Sequence, residues 1–135
     1  MITIHKSAGI VIKERRILVV REYGEKIFHS PGGVIRNKET PIRALVREMI
    51  EETGIRFSSN DIHLYGTYQA IAANDRDKIL NLEVYMINNW SGEVTPGKEI
   101  EEIAWVTSDN PQQIFLGSIF EHEVIPDLKK KNLID

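Results

Sequence analysis

Between Gly33 and Ile55 the chain reads GVIRNKETPIRALVREMIEETGI, and this stretch admits few local structures. Thr40 is a good N-cap, Pro41 suits the first helical position, and Gly54 suits the position just past the last turn. The spacing predicts a helix over residues 41–53. Ile42, Leu45, Val46, Met49 and Thr53 recur at helical spacing and form its buried stripe. Arg43, Arg47, Glu48, Glu51 and Glu52 fall mainly away from that stripe. Glu48, Glu51 and Glu52 lie within about one turn, where like charges three or four residues apart repel. A multivalent cation removes the conflict, and carboxylate oxygens suit hard ions such as Mg2+ or Mn2+. The stretch therefore points to a metal-dependent enzyme whose substrate the metal also grips, most naturally a phosphate. The alternative is an amphipathic helix with a solvated acidic face, on which Arg47 and Glu51 form an i,i+4 pair of small value.

Composition narrows the classes further. A chain of 135 residues suits one domain, residues 1–135, with a single core. A net charge of −3 gives no broad basic surface, which argues against duplex nucleic acid as a partner. The absence of cysteine excludes disulfides, thiolate metal sites and cysteine nucleophiles. Met1 to Lys6 leads into alternation rather than a signal peptide, and no apolar run approaches a membrane span. A cytoplasmic enzyme, monomer or homodimer, with no membrane partner is the expectation.

Residues 3–12 and 17–21 read as strands joined at Lys13-Glu14-Arg15-Arg16, and Ser30-Pro31-Gly32-Gly33 as a tight loop. Residues 62–73 and 79–88 read as strands around the polar turn Asn74-Asp75-Arg76-Asp77, with further short strands at 93–95 and 102–107. Pro111 to Gly117 reads as a short helix and 119–132 as a C-terminal one that Pro126 must kink or delay. Many strands, two or three helices and no regular alternation between them favour an α+β or sandwiched-sheet domain.

As a pattern, the opening stretch is Gly33, five residues, Glu39, seven residues, then Arg47-Glu48-Met49-Ile50-Glu51-Glu52-Thr53-Gly54-Ile55. It resembles the signature of the Nudix hydrolases at every fixed position. These enzymes hydrolyse a nucleoside diphosphate linked to a further group. The resemblance implies an α/β/α sandwich around a central mixed sheet, with Mg2+, or Mn2+, as cofactor and a small nucleotide as substrate. It implies that Glu48, Glu51 and Glu52 bind metal, one of them orienting or deprotonating the attacking water. The Gly32 carbonyl would add an oxygen ligand. Arg47 would hold the carboxylates and Glu39 would brace Arg47, with Gly33 and Gly54 as structural support. Relatives often place another acidic metal ligand or water activator on a later loop, which favours Glu99, six residues before Trp105, over Glu102.

His29, beside the Pro-Gly-Gly loop, is a candidate substrate contact or an exposed loop residue. His5, His63 and His122 are not spaced as a metal set. Arg21, Arg36 and Lys38 are candidate phosphate contacts, with loop solvation the plainer reading. Phe28 and Tyr68 are candidates to flank a base, although strand aromatics, like Trp105, are more often core. For the substrate, the proline typical of ADP-ribose hydrolases is missing at Gln69 and Ala70. The tyrosine typical of dinucleoside polyphosphate hydrolases is missing at Ile71 and Ala72, with Tyr68 displaced. By elimination the chain looks like the branch of nucleoside triphosphate pyrophosphohydrolases, including those for oxidised or non-standard nucleotides. The alternatives are an ADP-ribose or sugar-nucleotide pyrophosphatase, or a nucleotide-binding sensor without catalysis.

Overall fold

Alternation along the strands sorts the apolar side chains into two layers. The computed structural model describes residues 2–72 and 75–135. In chain order it comprises β1 (Ile2–Ile10), β2 (Ile12–Lys13), β3 (Arg16–Glu22), β4 (Gly32–Val34), α1 (Pro41–Thr53), β5 (Ile62–Ala72), β6 (Asp75–Ile87), β7 (Ile100–Val106) and α2 (Ile125–Lys130). One sheet has the order β4-β1-β6-β5 and the other β2-β3-β7. β1 and β6 run parallel, with Ala8 opposite Val84, while β4 and β5 join antiparallel, so this sheet is mixed. Successive strand residues point to opposite faces. Ile10, Val84 and Met86 therefore pack with Val124 and Leu128 of the C-terminal helix. Their neighbours Val11, Tyr85 and Ile87 pack with Leu45 and Met49 of α1. The result is the α/β/α sandwich that the resemblance implies.

α1 is built by the predicted signals. The Thr40 hydroxyl accepts from Arg43 N at 3.1 Å, Pro41 opens the helix, and Gly54 closes it at φ 77° with its N–H on the Ile50 carbonyl. Leu45, Met49 and Thr53 are buried, whereas Ile42 and Val46 are only half-buried. Glu52, expected away from the buried side, is itself buried, at 7% exposure. Gly9 lets the helix lie close to the sheet, since a Cβ there would stand 2.8 Å from the Met49 terminal methyl. Met49→Ala opens a cavity at a fully buried position and is expected to cost about 2–5 kcal/mol. A urea midpoint equal to that of the unchanged protein would show that α1 is not packed as described.

Several expectations require correction. Residues 93–95 are not a strand; Thr95 N instead donates to the Thr53 carbonyl, tying this segment to the end of α1. Residues 111–117 are not helical. The Asn110 side chain bonds both the N–H and the carbonyl of Ile114, closing a loop, and Leu116 then forms a bridge with Phe28. Gly32 and Gly33 are not a turn but the start of β4, paired with Ala8 and Ser7. Asp75, Arg76 and Asp77 belong to β6, whose pairing with β5 reaches Asp75; Asn74 lies outside the described residues. The C-terminal helix starts at residue 118 and carries a π-turn, Phe120–Val124, immediately before Pro126. The Ile125 N–H reaches back to the Phe120 carbonyl, so the proline is accommodated by a wider turn. No helix among the described residues is long and apolar enough to cross a membrane.

Candidate active site

The end of α1 meets β4 and β3 at one wall of a cavity of about 1000 Å³. Gly33 creates the contact with Glu48, since a Cβ there would fall 2.7 Å from the Glu48 carboxylate. Gly32 has φ +155°, and a Cβ on it would strike the Ser7 carbonyl at 2.1 Å, so only glycine lets β4 pass here. Its N–H is thereby aimed at Glu52 and donates to Oε1 at 2.8 Å.

The three helical glutamates occupy three environments. Glu48 is partly buried, lines the cavity and is bonded by Arg47 Nη1. Glu52 is buried behind the Gly32 backbone. Its burial raises its pKa to about 7, against the pull of His29 and of the Gly32 N–H. Glu51 is exposed and is touched by Arg47 only at 3.7 Å. Arg47 also binds Glu39 through Nε and Nη2, at 2.9 and 3.0 Å. This pairing holds the Glu39 carboxyl down at about 2, and Glu39 in turn pushes the Arg47 pKa upward. Arg47 and Glu39 are thus paired beside Glu48, and Glu39 also accepts from Arg36 N at 3.0 Å.

Glu99 is exposed on the loop before β7. Gly97 of that loop donates to the Glu52 carbonyl at 2.9 Å, and Tyr23 N donates to the Glu99 carbonyl. Glu102 is engaged elsewhere, since Arg21 binds Glu101 at 2.6 Å and Glu102 at 3.1 Å. The same pairing occupies Arg21, which also lies over the Phe28 ring. Phe28 is core, and Tyr68 and Trp105 pack at the edges of the two clusters. Arg36 lines the cavity, and Lys38 is exposed. His5, His63 and His122 are all exposed.

Glu22 was missed by the sequence reading. It ends β3, and its carboxylate lies 3.7 Å from Nε2 of His29. Among the described residues, Glu22, His29 and Glu52 bring donor atoms within 4.8 Å of one another. Burial disfavours charge on His29, but Glu22 and Glu52 outweigh it and raise its pKa, while His29 lowers that of Glu22. Nothing in the spacing of Glu22 marks it, because its approach to His29 depends on the Val20–His29 bridge between β3 and the loop.

The donor chemistry fits a divalent ion. A buried carboxylate with one N–H partner, beside a second carboxylate, is costly until a positive charge joins it. Loading must displace the Glu52 proton. Mg2+ titration near pH 7 is therefore expected to release protons, read by calorimetry in buffers of different ionisation heat. The release should fade toward pH 9, where Glu52 is already ionised. Equal heats in all buffers at pH 7 would refute this assignment.

Comparison with known proteins settles the family. A family model described as the NUDIX domain matches residues 3–128. The chain belongs to the Nudix hydrolase family. Among Nudix relatives, a MutT-like protein of Streptomyces ambofaciens is 33% identical over 103 residues, spanning 76% of this chain and 62% of its own length. The 8-oxo-dGTP diphosphatase of Haemophilus influenzae is 33% identical over 108 residues, 76% of this chain and 75% of that protein. The fold matches the MutT protein from Methanosarcina mazei Go1 with a TM-score of 0.77 and 20% identity, covering 97% and 96% of the two chains.

Proposed function

We propose that the chain is a Mg2+- or Mn2+-dependent pyrophosphohydrolase acting on a nucleoside triphosphate. The observation that carries this reading is the mixed lining of the cavity. Glu48, Glu22, His29, Gly32 and Gly33 line it, and Arg36 and Lys6 add positive charge to its walls. Ile4, Leu80, Leu82, Ile119 and Phe120 add apolar surface suited to a base and sugar. On this reading a nucleotide binds with its phosphates toward the glutamates.

The proposed ion set is Glu48, Glu51 and Glu52 with the Gly32 carbonyl, and Glu99 is proposed as an assisting carboxylate. A divalent ion held there would neutralise phosphate charge and lower the pKa of the attacking water. The remaining work belongs to the chain. Arg47 and Glu39 fix the Glu48 rotamer, the Gly32 N–H fixes Glu52, and a glutamate takes the proton of the attacking water. The water oxygen adds to phosphorus and the bridging P–O bond of the pyrophosphate breaks. The products are a nucleoside monophosphate and pyrophosphate.

The reading is tested by kcat/KM across canonical and oxidised nucleoside triphosphates, ADP-ribose, sugar nucleotides and dinucleoside polyphosphates. Nucleoside triphosphates are expected to lead. A clear preference for ADP-ribose or a sugar nucleotide would overturn the substrate assignment. Nucleotide binding with no turnover would favour the sensor.

A further inference from the structure

We propose that the metal site extends beyond the helical glutamates to His29 and Glu22, which with Glu52 form a Glu-His-Glu set for a first-row transition ion in preference to Mg2+. The inference rests on the pyrophosphohydrolase reading only through Glu52, which both sets share. Three independent features of His29 carry it.

The first is the tautomer. Nδ1 of His29 lies 2.8 Å from the Ser30 carbonyl, which can only accept, so Nδ1 carries a hydrogen. In the neutral ring the lone pair is then on Nε2, the nitrogen that faces Glu22 at 3.7 Å. Donation of the remote ring N–H to a carbonyl is the usual way a metal-ligating imidazole is oriented.

The second is backbone rigidity. Val20 and His29 exchange two hydrogen bonds of 2.8 Å each, so β3 holds the loop and fixes the ring's origin. Glu22 follows on the same strand, and Glu52 is held by the Gly32 N–H at 2.8 Å. Each of the three side chains therefore hangs from an anchored segment.

The third is spacing. Donors on a six-coordinate ion with bonds of about 2.1 Å lie roughly 3 Å apart when adjacent and roughly 4.2 Å when opposite. The Glu22, His29 and Glu52 donors all lie within 4.8 Å of one another, so small side-chain movements close the set. An ion pair between Glu22 and His29 alone accounts for their approach, but not for the buried Glu52 carboxylate completing a triangle with them. Carboxylates by themselves suit Mg2+, whereas an imidazole shifts preference toward ions later in the first transition row.

The test uses the whole chain, Zn2+ or Mn2+ alone as probe, and two readouts besides activity. Zn2+ is titrated while the imidazole nitrogens are followed by 15N NMR. The His29 Nε2 resonance is expected to move to the position of a ligated nitrogen, while those of His5, His63 and His122 stay in place. Free Mn2+ is then counted by electron paramagnetic resonance, with Mg2+ as competitor. His29→Gln is expected to lower the preference for Mn2+ over Mg2+ by about tenfold or more, and Glu22→Gln to act in the same direction. An unmoved His29 nitrogen with unchanged Mn2+ preference in His29→Gln overturns the inference. If Mn2+ binding is then still lost in Glu48→Gln, the pyrophosphohydrolase reading survives without it. If the nitrogen moves but no nucleotide is cleaved, the Glu-His-Glu set stands and the functional reading falls.

Discussion

Glu52→Gln is expected to lower turnover by about 1,000-fold, the scale of losing a positioned proton-transfer or ligand group, while raising the stability of the metal-free protein at pH 8. Both effects come from one buried carboxyl. In the folded chain its pKa is raised from 4.5 to about 7. A raised folded pKa means that the stabilising contribution is complete below about pH 4.5 and is lost as pH rises through about 7. At pH 8 the metal-free protein carries the full loss, on the order of 3 kcal/mol. Glutamine has no charge to bury, still accepts from the Gly32 N–H, and avoids that loss. The melting temperature of Glu52→Gln should therefore exceed that of the unchanged protein at pH 8, with the gap closing near pH 4.5. Near-normal turnover would remove Glu52 from the mechanism. An unchanged melting temperature at pH 8 would show that Glu52 is not buried as an anion.

Gly32→Ala is expected to fail differently, losing both activity and stability. The new Cβ would stand 2.1 Å from the Ser7 carbonyl and 2.7 Å from Ala8 Cα, and φ is +155°. Neither obstacle is a flexible side-chain tip, so β4 must move away from β1. The combined clash and strain cost on the order of 3 kcal/mol. The same movement withdraws the N–H from Glu52 and the backbone of Gly33 from Glu48. Displacement of catalytic groups by about 1 Å costs on the order of 100-fold in rate. Denaturation and steady-state kinetics on one preparation test both losses. Activity retained at the level of the unchanged protein would mean that β4 does not position the carboxylates.

The helix was legible because its determinants are local. Thr40, Pro41 and Gly54 act within a turn of the helix they bound, whereas the Glu39–Arg47 pairing came only with the resemblance to the Nudix signature. The burial of Glu52 was not legible. It follows from β4 crossing over the helix end, a contact between residues 20 apart in the chain. Glu22 escaped for the same reason, and so did its approach to His29, which the sequence offered only as a substrate contact, since a bridge between β3 and the loop brings both to Glu52. Residues 111–117 show the opposite error. Their composition allows a helix, but the Asn110 side chain captures the Ile114 backbone and makes a loop that delivers Leu116 to the cavity wall. The apolar lining of the cavity is assembled from β1, β5, β6 and residues 116–121, so no single stretch of sequence announces it.

The proposed function requires that this chain split a pyrophosphate bond with the carboxylates at the end of α1. The most direct measurement is 31P NMR of a nucleoside triphosphate incubated with the protein and Mg2+, alongside Glu52→Gln and a metal-free control. The triphosphate signals are expected to give way to those of a nucleoside monophosphate and pyrophosphate in the first sample alone. Release of inorganic phosphate with a nucleoside diphosphate, or equal conversion by Glu52→Gln, would contradict it.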